Sequence, residues 1–382
     1  MIRLIGMLIP VALIAGSGWV VALVREVGLS PLPREVQSPA DNAATEEKVE
    51  LGRLLFWDPV LSGPKDVACA TCHHPDFGYA ERLDLSIGAH GVGLGPSRRF
   101  ATDDSRLFVK RNSQTILNVA FNGMQGDGSH DPARAPMFWD LRATTLEAQA
   151  LEPLKTFEEM RGWAYPERAA VDAVVARLNA IPDYRARFAS VFGGPLPVSA
   201  VNLGRALAAF QRSLLTADTS FDRFQRGDPS AMTTLQVRGM RRFVRVGCSN
   251  CHTGPMFSDY QPHTLGVPDN PKLAVPDTGI GQRYAFRTPT LRNLRHTAPY
   301  MHSGMLATLE DVIAFYEDVS NERSRNPNVS GADLESLVTG LNVADDTPAL
   351  VAFLDALSDD AFDRTMPAQV PSGLPVGGRI HE

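Results

Sequence analysis

Apolar residues recur at helical intervals through much of the chain. Residues 144–151 and 166–178 carry them at three- and four-residue spacing, the second segment through Ala169, Val171, Val174, Val175 and Leu178. Residues 198–215 repeat the pattern with Val201, Leu203, Leu207, Phe210 and Leu214, and residues 233–246, 308–319 and 332–357 continue it. Strict alternation, the mark of a half-buried strand, is sparse, so the pattern predicts a mainly α protein. One stretch has no polar face at all. From Leu4 to Val24 the chain is uncharged, bounded by Arg3 and Arg25. It is longer than the usual apolar region of a signal peptide, although Ala15-Gly16-Ser17 offers a cleavage site, and it is long enough for a tilted membrane span. A buried terminal helix is the third reading. Residues 1–25 are therefore expected to be a signal peptide or membrane anchor. Residues 26–40, with Pro31, Pro33 and Pro39, are expected to be a semi-rigid linker.

Composition narrows the class. With 382 residues the chain exceeds what one hydrophobic core usually serves, so two domains are expected. An apolar fraction of 44% excludes a wholly disordered chain and a polytopic membrane protein. The 31 glycines and 28 prolines predict long irregular connections between helices. A net charge of −6 leaves no electrostatic footprint for nucleic acid or anionic lipid.

All four cysteines fall in two copies of one motif. Cys69-Ala70-Thr71-Cys72-His73 and Cys248-Ser249-Asn250-Cys251-His252 are both C-x-x-C-H, the pattern of covalent c-type haem attachment. Two thiols take the porphyrin vinyl groups as thioethers, and the adjacent histidine is held under the iron as an axial ligand. Two disulfides, or a zinc site built from all four cysteines, would leave the histidine after each motif without a role. Covalent haem of this type is assembled outside the cytoplasm, in agreement with the apolar N-terminus. The two motifs stand 179 residues apart, which suggests one haem per domain. The expected division is residues 41–195 for an N-terminal cytochrome c-like domain, 196–365 for a C-terminal one and 366–382 for a tail.

Further residues carry a family resemblance. Leu51-Gly52-Arg53-Leu54-Leu55-Phe56, Arg111-Asn112, Phe138-Trp139-Asp140 and the run from Phe286 through Asn293 precede Thr297-Ala298-Pro299-Tyr300-Met301-His302-Ser303-Gly304 and Thr308-Leu309-Glu310. In this order, over roughly residues 48–357, the chain resembles the bacterial di-haem cytochrome c peroxidase and MauG superfamily. The resemblance implies a peroxide-reactive haem in the first domain and an electron-relaying haem in the second. It assigns Trp139 to the space between the haems, where an ordinary core tryptophan is the alternative. Gln149 and Glu159 become the distal pair beside the first iron, Glu159 being preferred to Glu158 because Met160 follows it. A carboxylate there can take a proton from peroxide and return it to the leaving oxygen. The resemblance also implies a calcium ion held by the Asn112 side chain and the carbonyls of Thr297 and Pro299, oxygen donors that suit a hard cation.

The sixth ligands set the chemistry. In the peroxidases a methionine lies 14 residues after the histidine of Tyr-x-His-x-Gly; from His302 that position is Tyr316. The MauG-like branch has tyrosine there, a hard anionic donor that stabilises oxidised iron where methionine raises the potential. The competing reading places Tyr316 on an apolar helix face with Val312, Ile313 and Phe315, with Met301 or Met305 as ligand. For the first haem, His73 is proximal and the distal side is either vacant or closed by His90. That histidine sits one residue away from the family spacing. His74 and His130 are expected at the surface. The loop 89–110 and an insertion at 123–136 depart from the family pattern.

The resemblance thus implies an exported, soluble or membrane-tethered di-haem oxidoreductase that uses hydrogen peroxide to reach a high-valent iron state and oxidise a protein substrate or donor. The alternatives are a cytochrome c peroxidase drawing electrons from a small donor cytochrome and a non-catalytic di-haem electron carrier.

Overall fold

The computed structural model describes residues 28–102 and 107–382, so the apolar N-terminal run lies outside the described residues. Among the described residues no helix is long and apolar enough to cross a membrane. Helices joined by long irregular segments make up the structure, with two small antiparallel β-ribbons, β1 (Gly91–Val92) with β2 (Arg99–Phe100) and β3 (Pro262–Thr264) with β4 (Ala285–Arg287). The helices are α1 (Glu46–Trp57), α2 (Cys69–Cys72), α3 (Leu146–Gln149), α4 (Glu152–Lys155), α5 (Ala170–Ala180), α6 (Pro182–Phe192), α7 (Ala200–Ser213), α8 (Ser220–Gln225), α9 (Thr234–Arg245), α10 (Leu309–Ser320) and α11 (Thr347–Asp355).

The same construction appears twice. A helix leads into each C-x-x-C-H motif, α1 for the first and α9 for the second, and a later helix closes over it, α7 and α11 respectively. Each N-terminus is capped by a threonine, Thr45 accepting from the Lys48 amide and Thr233 from the Gln236 amide. Each crossing depends on one glycine. A Cβ at Gly52 would lie 2.1 Å from the Ala206 carbonyl oxygen, and one at Gly239 would lie 1.8 Å from that of Ala349. Only hydrogen fits, so the backbones touch. The first core gathers Phe56, Trp57, Tyr79 and Phe210 with Leu51, Leu55, Leu203 and Leu207; the second gathers Phe221, Phe243, Phe257 and Phe353.

Helix α7 therefore belongs to the first core, although residues 196–365 were assigned to the second domain. Its apolar face, Leu203, Ala206, Leu207 and Phe210, packs on α1, and the crossover to the second core follows Leu214. The linker and the tail are also more than connections. Leu29 is fully buried in the second core, and the Leu32 amide donates to Asp222 Oδ1 at 3.0 Å. At the other end the chain returns to the first domain: Val370 and Ile380 join its core, Ser372 Oγ donates to Asp58, and the Gly377 carbonyl accepts from Thr71 Oγ1 inside the first haem motif. Each end of the described chain straps a haem domain distant from it in sequence.

The helices predicted at 198–215, 233–246 and 308–319 form within two residues of those limits. The segment 332–357 yields a helix only from Thr347, because Gly340 and the turns before it break the periodicity and Pro348 starts a new first turn. Helices α1 and α6 were not anticipated.

Candidate functional site

Each C-x-x-C-H motif opens onto a cavity. The first, about 440 Å³, is bordered by Cys69, Cys72 and His73; the second, about 200 Å³, by Cys248, Cys251 and His252. Both histidines are fixed in the same way. His73 Nδ1 lies 3.1 Å from the Tyr79 carbonyl oxygen and 3.3 Å from Ser113 Oγ, while His252 Nδ1 lies 3.0 Å from the Phe257 carbonyl oxygen. With Nδ1 engaged as the donor, Nε2 is the nitrogen left to bind a metal. Burial holds both imidazoles in the neutral form a ligand needs, depressing His73 and pushing His252 down to about 4. The thiol pairs, the tautomer and the apolar walls fit a covalently held haem at both places. Motif spacing did not expose the carbonyl partners. Tyr79 and Phe257 both have positive φ, 56° and 54°, which turns each carbonyl back toward its histidine.

Above the first motif, Gln149 and Glu159 border the same cavity. Gln149 is 9% exposed, and its Oε1 has no hydrogen-bond partner among the described residues. Glu159 belongs to a π-helical turn, Phe157–Arg161. Burial pushes its carboxyl up to about 7, partly countered by Arg142 4.0 Å away. Arg142 lies over the Phe138 ring and pairs with Asp140 at 2.9 Å; Asp140 pairs with Arg111 at 2.7 Å, and Arg111 with Asp277. A chain of charges thus runs from Glu159 to the second domain. Glu158 also borders the cavity, so position alone does not separate the two carboxylates.

Trp139 borders both cavities. Its Nε1 donates to the Asn112 carbonyl at 3.1 Å, and its own carbonyl accepts from the Arg287 amide at 2.8 Å, so strand β4 of the second domain grips the loop that carries it. The ring meets His302 edge-on at 6.2 Å, and His302 stacks on Phe286 at 3.5 Å.

Asn112, Thr297 and Pro299 all border the second cavity, and the Asn112 side-chain amide donates to the Leu83 carbonyl at 2.8 Å. Tyr316 borders that cavity with His252, and so does Met301; Met305 does not. Burial raises the Tyr316 phenol well above its ordinary range, and its oxygen makes no hydrogen bond among the described residues. His90 is placed elsewhere. It lies outside the lining of the first cavity, its Nδ1 3.8 Å from Asp66 and its Nε2 buried without a partner beside Gly162. The loop carrying it rests on the π-helical turn, the Ala89 amide donating to the Glu159 carbonyl at 2.8 Å. His74 is not a surface residue: it is 3% exposed, packs edge-on against Trp57 and accepts from the Asp76 amide to start a 3-10 turn. His130 is half-buried.

Cys251, Asp259 and His263 place ligating atoms within 4.8 Å of one another. Thioether formation removes the Cys251 thiolate from this group. His263 is already held between Asp259 at 2.9 Å and Glu335 at 2.7 Å, which keep it protonated.

Comparison with known proteins gives the chain a family. A family model for di-haem cytochrome c peroxidase matches residues 46–230. The methylamine utilization protein MauG of Methylorubrum extorquens is 34% identical over 344 residues, covering 89% of this chain and 86% of the relative. Cytochrome c551 peroxidase of Pseudomonas aeruginosa is 31% identical over 323 residues, covering 82% of each chain. Among solved structures, a MauG-like protein associated with microbial copper homeostasis is 28% identical with a TM-score of 0.68, covering 86% of this chain and 95% of that one.

Proposed function

Because this chain belongs to the di-haem cytochrome c peroxidase and MauG family, and is a haem oxidoreductase acting on hydrogen peroxide with two covalently bound c-type haems, we propose that its chemistry is of the MauG-like kind. Its oxidising equivalents would go to a protein substrate or a donor protein outside the cytoplasm. The observation that carries this reading is Tyr316 on the wall of the His252 cavity, with no hydrogen bond among the described residues to occupy its oxygen. A tyrosinate ligand favours oxidised iron, so the second site shares an oxidising equivalent instead of accepting electrons at high potential.

The haem supplies the redox-active iron, and the remaining work falls to side chains. Glu159, with a proton affinity matched to neutral pH, takes a proton from peroxide at one oxygen and delivers it to the departing one. Gln149, on the wall of the same cavity, would orient the peroxide O–H. Trp139, on the border of both cavities, couples the two centres. Asn112, Thr297 and Pro299 would hold calcium near that junction, and His90, which lies outside the lining of the first cavity, would not serve as a ligand there.

Peroxide titration of the diferric protein, followed by optical and EPR spectroscopy, tests the assignment. Spectral change at both haems is expected, with Tyr316→Phe altering the resting second-haem signal and abolishing its response. An unchanged signal in Tyr316→Phe, or fast steady turnover of wild type with reduced cytochrome c and no second-haem response, would reject it.

A further inference from the structure

Arg287 and Arg292 are both buried in the segment between β4 and the turn at 294–296, yet only one has a counter-charge. Arg292 makes a bidentate pair with Asp222, Nη1 to Oδ2 at 2.9 Å and Nη2 to Oδ1 at 3.0 Å. Arg287 is 5% exposed, and all its acceptors are neutral: Nε donates to the Phe138 carbonyl at 2.8 Å, Nη1 to the Thr288 carbonyl at 3.3 Å and Nη2 to Gln114 Oε1 at 3.1 Å. Among the described residues no carboxylate lies within ion-pair distance of it, and its guanidinium carbon lies over the Tyr260 ring at 5.9 Å. Of the four guanidiniums on the two cavity walls, Arg111, Arg142 and Arg292 have carboxylate partners, and Arg287 does not.

A guanidinium keeps its proton even when buried, so it needs an anion in place of the water it has lost. Burial lowers its proton affinity only to about 10, which leaves it cationic at neutral pH. The position of the charge indicates where that anion comes from. Arg287 borders both cavities, as do its partner Gln114 and the Trp139 loop that it holds. The group that fills these cavities carries two carboxylates of its own, and the guanidinium fork matches a carboxylate bidentately.

We propose that Arg287 is the docking site for a propionate carboxylate of the bound porphyrin at the boundary between the two cavities. The pairing ties strand β4, the Trp139 loop and the prosthetic group into one unit, and places a fixed positive charge beside the route between the haems. Arg287 acts as a positioning residue, and its role does not depend on which partner the enzyme oxidises.

The test uses the fully loaded, resting protein without peroxide, so its failure is separable from failure of the functional reading. Resonance Raman spectra report hydrogen bonding to porphyrin carboxylates through the propionate-bending band, and potentiometric titration reports the charge. In R287Q one haem is expected to show a shifted propionate band and a lower midpoint potential, because losing a nearby positive charge favours the oxidised iron. R287K, which keeps the charge and loses the fork, should restore the potential and only part of the band position. Should R287Q fail to load both haems, Q114E replaces it, setting a carboxylate against Nη2 to compete with the propionate and shift the same band. Propionate bands unchanged in R287Q and Q114E would overturn the proposal. So would wild-type potentials that follow added phosphate while those of R287Q do not, since a soluble anion would then be the partner.

Discussion

The two haem sites share their proximal frame and differ in almost everything facing it. Beneath each, a C-x-x-C-H motif follows a capped helix, and a carbonyl on a positive-φ residue fixes the imidazole. Above the first, a 440 Å³ cavity is walled by Gln149, Glu158, Glu159 and Arg142; above the second, a 200 Å³ cavity is walled mostly by apolar and aromatic side chains with Tyr316 among them. The frame that attaches a haem is therefore indifferent to its chemistry. On the proposed reading, a peroxide site differs from a relay site in whether the far wall supplies proton-transfer groups and room for a substrate, or a single donor oxygen in a tighter space.

Glu159 is where that contrast breaks most easily. On the proposed reading, Glu159→Gln removes the acid–base group of the first site but keeps the shape of its wall. The rate of peroxide reaction is expected to fall by about 10²- to 10⁴-fold, measured by stopped-flow absorbance, with both resting spectra unchanged. The pH profile carries a second signature. Glu159 accepts a proton only when ionised, and its carboxyl is raised to about 7, so the wild-type rate should decline about tenfold per pH unit well below that value. Glu159→Gln should be flat there. If Glu158→Gln reproduces both effects and Glu159→Gln neither, the roles of the two carboxylates are exchanged.

The strapping segments extend the contrast from chemistry to stability. Residues after 365 cover the first core and Leu29 enters the second, so truncating either strap should disturb the haem domain remote from it in sequence. Ile380→Ala removes a buried side chain from the first core and is expected to cost about 2 to 5 kcal/mol. In chemical denaturation followed at both haems, the loss should appear at the first haem before the second. Leu29→Ala should reverse that order. Simultaneous loss at both haems in both variants would mean that the domains unfold as one unit and the straps carry no separate identity.

Sequence made the attachment chemistry plain because a covalent haem demands two thiols and a histidine at fixed spacing, a pattern composition rarely produces by accident. The helices at 198–215, 233–246 and 308–319 were legible for a similar reason, each having one continuous apolar face. What escaped depends on contacts remote in sequence. Proline-rich residues 26–40 read as a tether because the described part of the segment buries few apolar side chains, Leu29 and Leu32 among them, and nothing local shows that the second core accepts Leu29. Helix α7 read as part of the second domain because its partner α1 stands about 150 residues earlier. Arg287 carried no signal of its own, since a buried cation without a partner looks like any arginine until its neighbours are known. His74, next to a ligand, was taken for a surface residue when its ring belongs to the packing around Trp57.

A weaker repeat accompanies the haem motifs and supports both proximal frames. Thr115-x-x-Asn118 and Thr290-x-x-Asn293 occupy equivalent places. Thr115 Oγ1 donates to the Gly78 carbonyl at 2.6 Å and accepts from the Leu117 amide; Thr290 Oγ1 donates to the Met256 carbonyl at 2.7 Å and accepts from the Arg292 amide. Gly78 and Met256 immediately precede Tyr79 and Phe257, whose carbonyls hold the histidines. The two asparagines, both at positive φ, converge on one hydroxyl, that of Thr216, at 2.6 Å from Asn118 and 2.9 Å from Asn293. Replacing either threonine with valine keeps the volume and deletes two hydrogen bonds, so each should cost about 1 to 3 kcal/mol in unfolding free energy. If the frames are equivalent, Thr115→Val and Thr290→Val will cost the same within about 0.5 kcal/mol, and each will broaden the low-temperature EPR signal of its own haem alone. A larger cost at Thr115 would show that the first frame, which borders the wider cavity, depends more on this brace.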